Sequence, residues 1–371
     1  MRFTCENRLL NAAISTASRA AANKSAIQSL EGLLIEAADG ITISGYDLKT
    51  GIRTSLPADV SQTGEIILNA RLFGEIIRRL PDDVVSITAN ENHAVNIKCG
   101  MSEYNIMGIS SADFPELPSV DYQNSVYIQE KVIKSMISQT IFAVSDNEAR
   151  PIHTGSLFEL EKGVLTVVSV DGYRLAIRRE PVDRTDLEEV SFVVPGSALS
   201  EVEKIASDSE NLVKITIGSK HIMFTIGSTV LISRRLEGEF LNYKNYVHNS
   251  AKYTFEAQRR DLIQSVERVS LIISDKLKSP VRLKFEENNL NIVTNTALGT
   301  ASDFCEVKGN GEGLEIGFNN KYILDALKAA PADTVRLQLS TGTSPCVVVP
   351  ADGDESFLYM ILPVRLKANE G

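Results

Sequence analysis

Two hydrophobic patterns alternate along this chain, and their order repeats three times. Short, largely apolar runs, typical of strands, precede stretches whose apolar residues recur at helical spacing. The second helical stretch of each copy follows a strand at Leu68, Val194 and Gly317, which are offset by 126 and 123 residues. Chance recurrence in an unrelated α/β chain is the alternative. So constant an offset, in the same order of elements, favours three copies of one unit.

The helical stretches are amphipathic, with an apolar stripe opposite a polar one. In the second stretch, we expect Leu72 and Phe73 to face inward, while Arg71, Arg78 and Arg79 face away. Such helices pack one side against a sheet and leave the other outside. The predicted helical cores are 8–19, 71–79, 131–143, 197–205, 259–270 and 320–328.

Between the helices, pairs of apolar runs joined by short polar loops predict β-hairpins, with turns at Asp39-Gly40, Lys162-Gly163 and Asn288-Asn289. Helices packed on antiparallel sheet belong to the α+β class. A chain of 371 residues is too long for one core, and the repeats predict three. The expected domains are 1–120, 126–245 and 250–371, with short linkers within 110–125 and 239–250.

Charge is unevenly distributed between helices and the rest of the chain. The formal net charge of −10 alone argues against nucleic acid, because phosphate binding requires Lys and Arg. The predicted helices, however, contain 13 basic and 6 acidic residues, a net +7, which leaves −17 for the remainder. If the helices share a face, that face is suited to a polyanion. The alternative is that helices carry Lys and Arg on ordinary solvated faces.

The sequence offers little sign of catalysis, cofactor binding or metal binding. Glycine-rich phosphate loops, metalloprotease motifs and the serine-hydrolase motif are absent, and carboxylate pairs such as Asp82-Asp83 are expected to be solvated loop charges. No cysteine has zinc-type spacing, so we expect buried reduced thiols at Cys5, Cys99 and Cys346 and predict no disulfide. No apolar run approaches the length of a membrane span, and the protein is expected to be cytoplasmic.

Two segments suggest binding. Tyr173, Arg174 and Leu175 follow a turn, which would expose an aromatic ring and an arginine, and near the chain end a strand breaks at Pro363. A groove between these elements would accept a short apolar peptide. The alternative is that both are edge strands packed in the core.

Four segments in this order resemble the bacterial DNA polymerase III beta-subunit family, the sliding clamps. They are ADFPELP at 112–118, VDGYRLA at 170–176, LEGEF at 236–240 and LPVRL at 362–366, and the resemblance extends over the whole chain. It implies three similar clamp domains per chain and a head-to-tail homodimer that closes into a six-domain ring, with helices lining the hole. The implied function is noncatalytic: the ring encircles double-stranded DNA without sequence specificity and needs no cofactor. The implied protein partners are the replicative polymerase alpha subunit, the clamp loader and other proteins with clamp-binding motifs.

The resemblance also implies roles for individual residues. Its DNA-facing residues would be Lys24, Arg71, Arg78, Arg79, Arg150 and Lys204, to which helix face alone adds Arg259 and Arg260. Its peptide pocket would comprise His153, Gly172, Tyr173, Arg174, Leu175, Leu241, Asn319, Tyr322, Thr343, Pro345, Leu362, Pro363, Val364, Arg365 and Leu366. Its subunit interface would join Tyr104 and Ile106 to Ile272 and Ile273 of a partner; without the resemblance, these four would be taken as core residues. Leu241 stands where the family commonly has proline, and His153 where it commonly has leucine.

Two other functional classes remain open at this stage. One is a repeat-built scaffold that binds only proteins and does not encircle DNA, its basic helices being plain solvated faces. The other is a nucleic-acid enzyme whose catalytic residues form no recognisable motif.

Overall fold

The computed structural model describes residues 1–120, 124–247, 251–274, 279–311 and 313–366. Residues 121–123 and 248–250 of the two predicted linkers lie outside these ranges, as do residues 367–371 at the end of the third predicted domain. In the described part of the chain, no helix has the length and apolar character that a membrane span requires.

One order of elements occurs three times: a strand, a helix, four or five strands, a helix and three strands. The first copy contains β1 (Arg2–Glu6), α1 (Asn7–Ala17), β2 (Gly32–Ala37), β3 (Ile41–Tyr46), β4 (Thr50–Leu56), β5 (Asp59–Gln62), β6 (Gly64–Asn69), α2 (Ala70–Arg79), β7 (Val84–Ala89), β8 (Ala94–Cys99) and β9 (Ser102–Met107). The second contains β10 (Ser125–Gln129), α3 (Glu130–Ser138), β11 (Gly155–Glu161), β12 (Val164–Val170), β13 (Arg174–Pro181), β14 (Arg184–Thr185), β15 (Glu189–Pro195), α4 (Gly196–Ile205), β16 (Leu212–Ile217), β17 (His221–Ile226) and β18 (Thr229–Arg234). The third contains β19 (Tyr253–Gln258), α5 (Arg259–Ser270), β20 (Val281–Glu286), β21 (Asn289–Thr296), β22 (Gly299–Asn310), β23 (Glu315–Phe318), α6 (Asn320–Ala329), β24 (Thr334–Leu339), β25 (Cys346–Pro350) and β26 (Phe357–Ile361).

The strands form three antiparallel sheets, two of which join neighbouring copies. The five-stranded sheet has the order β5-β1-β7-β8-β9. The nine-stranded sheet, β14-β10-β16-β17-β18-β4-β3-β2-β6, joins the first two copies through β18 and β4, where Thr54 lies opposite Thr229. The twelve-stranded sheet, β15-β11-β12-β13-β26-β25-β24-β19-β22-β21-β20-β23, joins the last two through β13 and β26. The chain thus has α+β architecture with helices on antiparallel sheet, as predicted.

The chain divides into two compact units, and both include parts of the second copy. The first comprises Met1–Ile133, Asp183–Leu187 and Ser200–Arg235; the second comprises Lys134–Val182, Glu188–Leu199 and the chain from Leu236 onward. The division follows sheet pairing, because the two halves of the second copy are hydrogen-bonded to different neighbours.

The start of α2 is set by a capping side chain, and its buried face differs in part from the predicted one. At the start of α2, the Asn69 side chain accepts a hydrogen bond of 3.0 Å from the Leu72 backbone N–H. Phe73 is fully buried, but the prediction that Leu72 faces inward is wrong, since it is 49% exposed. Leu72 is rotated by about 100° from Phe73 and falls on the solvent side of the buried stripe.

The third helix is shorter than predicted. The pattern predicted a helix over 131–143, whereas α3 ends at Ser138 and a 3₁₀ turn occupies Ile141–Ala143. Between them, the buried Thr140 hydroxyl donates to the Met136 carbonyl at 2.8 Å. This side-chain bond competes with continuation of the helix.

Two of the three predicted hairpin turns contain residues at positive φ. Lys162 and Gly163 have φ of 51° and 75°, as a tight two-residue hairpin turn requires, and that prediction is confirmed. The turn between β20 and β21 lies at 287–288, one residue earlier than predicted, with Asn288 at φ 60°. The predicted reduced thiols are also confirmed: the cysteines, including Cys305, are free and buried.

Candidate functional site

The net positive charge of the observed helices is smaller than the net charge counted over the predicted helices. With the observed bounds they contain 12 basic and 7 acidic residues, a net +5 instead of +7. Arg19 falls in the 3₁₀ turn Ser18–Ala20 after α1, and Glu130 is the first residue of α3. The excess of basic groups remains.

The arginines of α2 are exposed and lie around a carboxylate. The Arg78 and Arg79 side chains are 61% and 73% exposed, and Arg71 is also exposed. Glu75 pairs with Arg78 through Oε1 at 2.6 Å and with Arg79 through Oε2 at 3.0 Å. The hydrogen bond from Arg78, assisted by the charges of the three arginines, lowers the pKa of Glu75. The exposed positive charges of α2 therefore surround one carboxylate of the same helix, that of Glu75.

A second carboxylate, Glu201 on α4, has the same arrangement. Its Oε2 accepts a hydrogen bond of 3.3 Å from Arg19, which lies just after α1, and its Oε1 pairs with Lys204 at 2.7 Å. Glu201 is 19% exposed, whereas Arg19 is 37% and Lys204 50% exposed. Lys24, also a predicted DNA-facing residue, is exposed in the segment that follows.

The remaining predicted DNA-facing residues differ in availability. Arg150 and Arg260 are exposed. Arg259 is 25% exposed, and its Nε donates to the Ala332 carbonyl at 2.8 Å. Its guanidinium is therefore already held by the loop after α6.

Arg174 is an internal anchor of the predicted peptide pocket. The Asp171 carboxylate accepts hydrogen bonds from the Tyr173 and Arg174 backbone N–H groups, at 2.9 and 3.0 Å, and a third from Arg174 Nε at 2.9 Å. Arg174 Nη1 reaches Asp325 on α6 at 2.6 Å. The prediction that this turn exposes an arginine is wrong, because these two carboxylates hold Arg174 at 8% exposure. The predicted exposure of Tyr173, at 61%, is confirmed.

Two tyrosines from different copies stack over this anchor. The Tyr173 and Tyr322 rings lie 5.9 Å apart with an interplanar angle of 24°. The Arg174 guanidinium lies 4.5 Å from the Tyr322 ring centroid, a cation–π contact. The Tyr173–Tyr322 pair therefore presents a flat aromatic surface next to a fixed positive charge.

The segment after β26, residues 362–366, runs beside this surface. The Leu362 N–H donates to the Tyr173 carbonyl, and the Val364 N–H to the Gly317 carbonyl, each at 2.8 Å. A Cβ on Gly317 would lie 2.4 Å from Leu366 Cδ2, so a larger residue at this position would displace the Leu366 side chain. Leu362 and Val364 are nevertheless 39% and 38% exposed. Apolar side chains on such an ordered backbone are better suited to binding than to core packing.

An apolar cluster adjoins the turn that bears Tyr173. Leu175 is buried in it with Met360, and the half-buried Leu241 packs against it. His153 contacts Phe240 edge-to-face at 5.4 Å, and partial burial, assisted by the Arg150 charge, lowers the pKa of His153. The other predicted pocket residues lie in several elements. Asn319 caps α6, its side chain accepting a hydrogen bond of 2.9 Å from the Lys321 N–H. Gly172 and Arg365 are exposed, Pro363 is half-buried, and Thr343 and Pro345 lie in the loop before β25.

A cavity of about 520 Å³ opens on the twelve-stranded sheet, beside β25 and β26. Of the predicted pocket residues, only Pro345 lines it; Val247, Val347, Leu358 and Met360 are lining residues that sequence reasoning missed. Part of the signal was available, because side chains two apart on a strand share a face, so Leu358 and Met360 lie together on one face of β26.

The predicted interface residues lie on or near unpaired strand edges. Tyr104 is 39% exposed and Ile106 half-buried on β9, the last strand of its sheet. Ile272 and Ile273 are half-buried just after α5, and Ile273 also packs against the core of the third copy.

Sequence reasoning missed a second apolar surface near Ile272. Among the described strands, residues 299–306 of β22 pair with β21 only. The Phe304 carbonyl accepts a hydrogen bond from the Ser265 hydroxyl of α5, and the Phe304 N–H donates to the Asp303 side chain. Phe304 on this stretch is 68% exposed and Leu271 is 85% exposed. Alternation in β22, with Cys305 and Val307 buried, was the available signal that Phe304 faces solvent.

The part of the chain that the structure describes shows no metal centre. Its His, Cys, Asp and Glu side chains include no group of three placed to hold a metal ion. The carboxylate pair Asp82-Asp83 is exposed next to β7.

Comparison with known proteins gives one consistent family. Models for the N-terminal, central and C-terminal domains of the DNA polymerase III beta subunit match residues 1–118, 127–242 and 249–365. A beta sliding clamp of Halalkalibacterium halodurans is 31% identical over 98% of this chain and all of its own length. Among solved structures, a putative DNA polymerase III beta subunit from Eubacterium rectale (31% identity, TM-score 0.93) and the DNA polymerase sliding clamp from Bacillus subtilis (28%, 0.95) each align with 99% of this chain and 100% of their own.

Proposed function

The chain belongs to the DNA polymerase III beta-subunit family, the beta sliding clamps, and from this premise we propose how its surfaces serve the processivity of DNA replication. A sliding clamp is noncatalytic: it keeps the replicative polymerase on its template by encircling the duplex. Retention through enclosure needs no base-reading residues. Weak contacts between basic side chains and phosphates are enough to centre the DNA.

The observation that carries the DNA-binding proposal is the exposed basic surface of the helices. Arg71, Arg78 and Arg79 on α2, Lys204 on α4 and Arg260 on α5 are all exposed. These groups, with Lys24 and Arg150, would contact the phosphate backbone of double-stranded DNA. Arg259 would contribute less, because the Ala332 carbonyl already accepts its hydrogen bond.

We propose that two chains form a head-to-tail ring of six domains. The edge of β9, with Tyr104 and Ile106, would meet a partner's third copy at Ile272 and Ile273. The exposed Phe304 on β22, in a stretch that pairs with β21 only, supports this assignment, because a partner surface there would cover apolar side chains. A heterologous contact of this kind closes a ring if its rotation permits.

The second and third copies would share the site that binds protein partners. The Tyr173–Tyr322 pair, the exposed Leu362 and Val364 and the cavity beside Met360 are suited to a short peptide with apolar and aromatic anchors. Such peptides would belong to the replicative polymerase alpha subunit, the clamp loader and other proteins with clamp-binding motifs. His153 and Leu241 adjoin this surface and would influence which motif is preferred.

Domain boundaries at 1–120, 126–245 and 250–371 are part of the proposal, supported by the repeated order of elements and by the family-model ranges. A protein that works on the replicating bacterial chromosome would act in the cytoplasm.

Charge reversal on the helices distinguishes the clamp hypothesis from that of a scaffold that binds only proteins. Replacing Arg78, Arg79 and Lys204 by glutamate should reduce loader-dependent retention on DNA and polymerase processivity while leaving peptide binding intact. Unchanged processivity would favour the scaffold. A matched triple reversal at Lys49, Lys220 and Lys284, which are exposed and lie outside the helices and outside β8, β9 and β22, controls for net charge.

A further inference from the structure

Two carboxylates of the first compact unit each bind two basic side chains, one through each oxygen. Glu75 binds Arg78 and Arg79 at 2.6 and 3.0 Å. Glu201 binds Lys204 and Arg19 at 2.7 and 3.3 Å. Four basic groups of the predicted helices thus share two anions.

The basic side chains that hold these two carboxylates are also the groups that would bind a DNA phosphate. Arginine and lysine bind phosphate oxygens by the same charge-assisted hydrogen bonds that they make with carboxylate oxygens. Because the cations are 37% to 73% exposed, a phosphate can approach them, but it must compete with the carboxylate already in place. Each of these glutamates therefore lowers the net gain from a phosphate contact.

We expect Glu75 to contribute little to the stability of the fold. It is 43% exposed, and exposed pairs between residues three and four apart on a helix contribute little to folding. An uncharged residue at this position would leave a more basic surface. The third copy has a similar pair, Lys328 on α6 with Glu267 on α5 at 2.6 Å.

We propose that Glu75 and Glu201 set the mobility of the clamp on DNA by competing with phosphates for Arg78, Arg79, Arg19 and Lys204. The proposal rests on the function proposed above, since it requires these helices to face the duplex. In a ring, enclosure holds the protein on DNA, so tight phosphate contacts would only slow sliding. The two glutamates keep each contact weak and easily exchanged.

The test measures how the intact dimer binds a fluorescent linear duplex over a range of salt concentrations. Glu75→Gln and Glu201→Gln should each tighten binding by roughly two- to fivefold at low salt. The slope of log affinity against log salt should steepen by about 0.9 for each additional phosphate that the variant neutralises. Single-molecule tracking should show slower diffusion along DNA.

Glu286→Gln is the matched control. Glu286 pairs with Lys284 on β20 at 3.3 Å and is 46% exposed, so its replacement removes the same charge from a strand. A purely structural role for Glu201 would change the unfolding midpoint and leave the salt slope unchanged.

Three outcomes would overturn the proposal in distinguishable ways. If wild-type protein binds DNA and both glutamine variants keep its affinity and salt slope, the two glutamates do not compete with phosphate. If Glu286→Gln tightens binding equally, the effect is one of net charge. If the wild-type protein shows neither DNA binding nor retention on loaded circles, the proposed function itself fails.

Discussion

Asp325 on α6 accepts a hydrogen bond of 2.6 Å from Arg174 Nη1 at the start of β13. This contact ties the second sequence copy to the third at the proposed peptide site. Arg174 also lies against the Tyr322 ring, so one buried cation fixes both the turn that bears Tyr173 and the ring on which Tyr173 stacks.

Removing the carboxylate should loosen this arrangement. We expect Asp325→Ala to lower the free energy of unfolding by about 1–3 kcal/mol, because it leaves part of a largely buried guanidinium unpaired. Peptide affinity should fall as well, since Tyr322 loses the cation that orients it. Urea unfolding and peptide titration measure the two effects. Glu75→Ala, which breaks exposed pairs, should change stability by less than about 0.5 kcal/mol; an equal loss would contradict the assigned role of Asp325.

The exposed apolar side chains after β26 should be required for partner binding. Leu362→Asp combined with Val364→Asp should abolish binding of a polymerase-derived peptide, because an aspartate cannot be desolvated against an apolar anchor without cost. Fluorescence polarisation measures peptide binding, and sedimentation should show an unchanged dimer. Val84→Asp, at a 54% exposed position on β7, is the control. Undiminished binding by the double variant would place the site elsewhere.

The dimer should depend on apolar residues at two strand edges. We predict that Tyr104→Asp and Phe304→Asp each convert the dimer to monomers in sedimentation velocity, because both would place a charge in a desolvated contact. Leu212→Asp, at a 47% exposed position on β16, should leave the dimer intact. Persistence of the dimer in both edge variants would exclude these edges as the interface.

The buried thiols predict a loss of stability at alkaline pH. Burial raises the pKa of Cys346 from 9.0 to about 12, and burial assisted by nearby acidic groups does the same for Cys5 and Cys305. The thiols lose their protons more readily in the unfolded chain, so their contribution to stability is complete below about pH 9 and is lost as pH rises towards 12.

Urea unfolding between about pH 8 and pH 10 tests the effect, and the stability of Cys346→Ala should fall less steeply over that interval. A thiol reagent at about pH 8 should label the native protein slowly and the unfolded protein fully. Fast labelling of the native protein would show that these cysteines are accessible.

Periodicity was sufficient to predict the α+β class and the helices, apart from the end of α3, because an amphipathic stripe is a local property of sequence. Local patterns could not show that β18 pairs with β4 or that β13 pairs with β26, since these pairings join residues far apart in the chain. The division of the second copy between two compact units follows from those pairings.

The proposed sites were predictable to different extents. Tyr173 follows a turn and is exposed as predicted, but Arg174 is buried because Asp325, about 150 residues away, completes its hydrogen bonds. The same limit explains Glu201, whose contact with Arg19 joins residues 182 positions apart. Charge counts along the sequence could not reveal which cations already have a partner.

Retention on circular and linear DNA tests the central claim most directly. Loader-assembled protein should remain on a nicked circular duplex for far longer than on a linear duplex of the same length and sequence, because only free ends let an intact ring slide off. Cutting the circle with a restriction enzyme should release it at the linear rate. Equal rates of loss from the circular and linear duplexes would contradict encirclement of DNA by this protein.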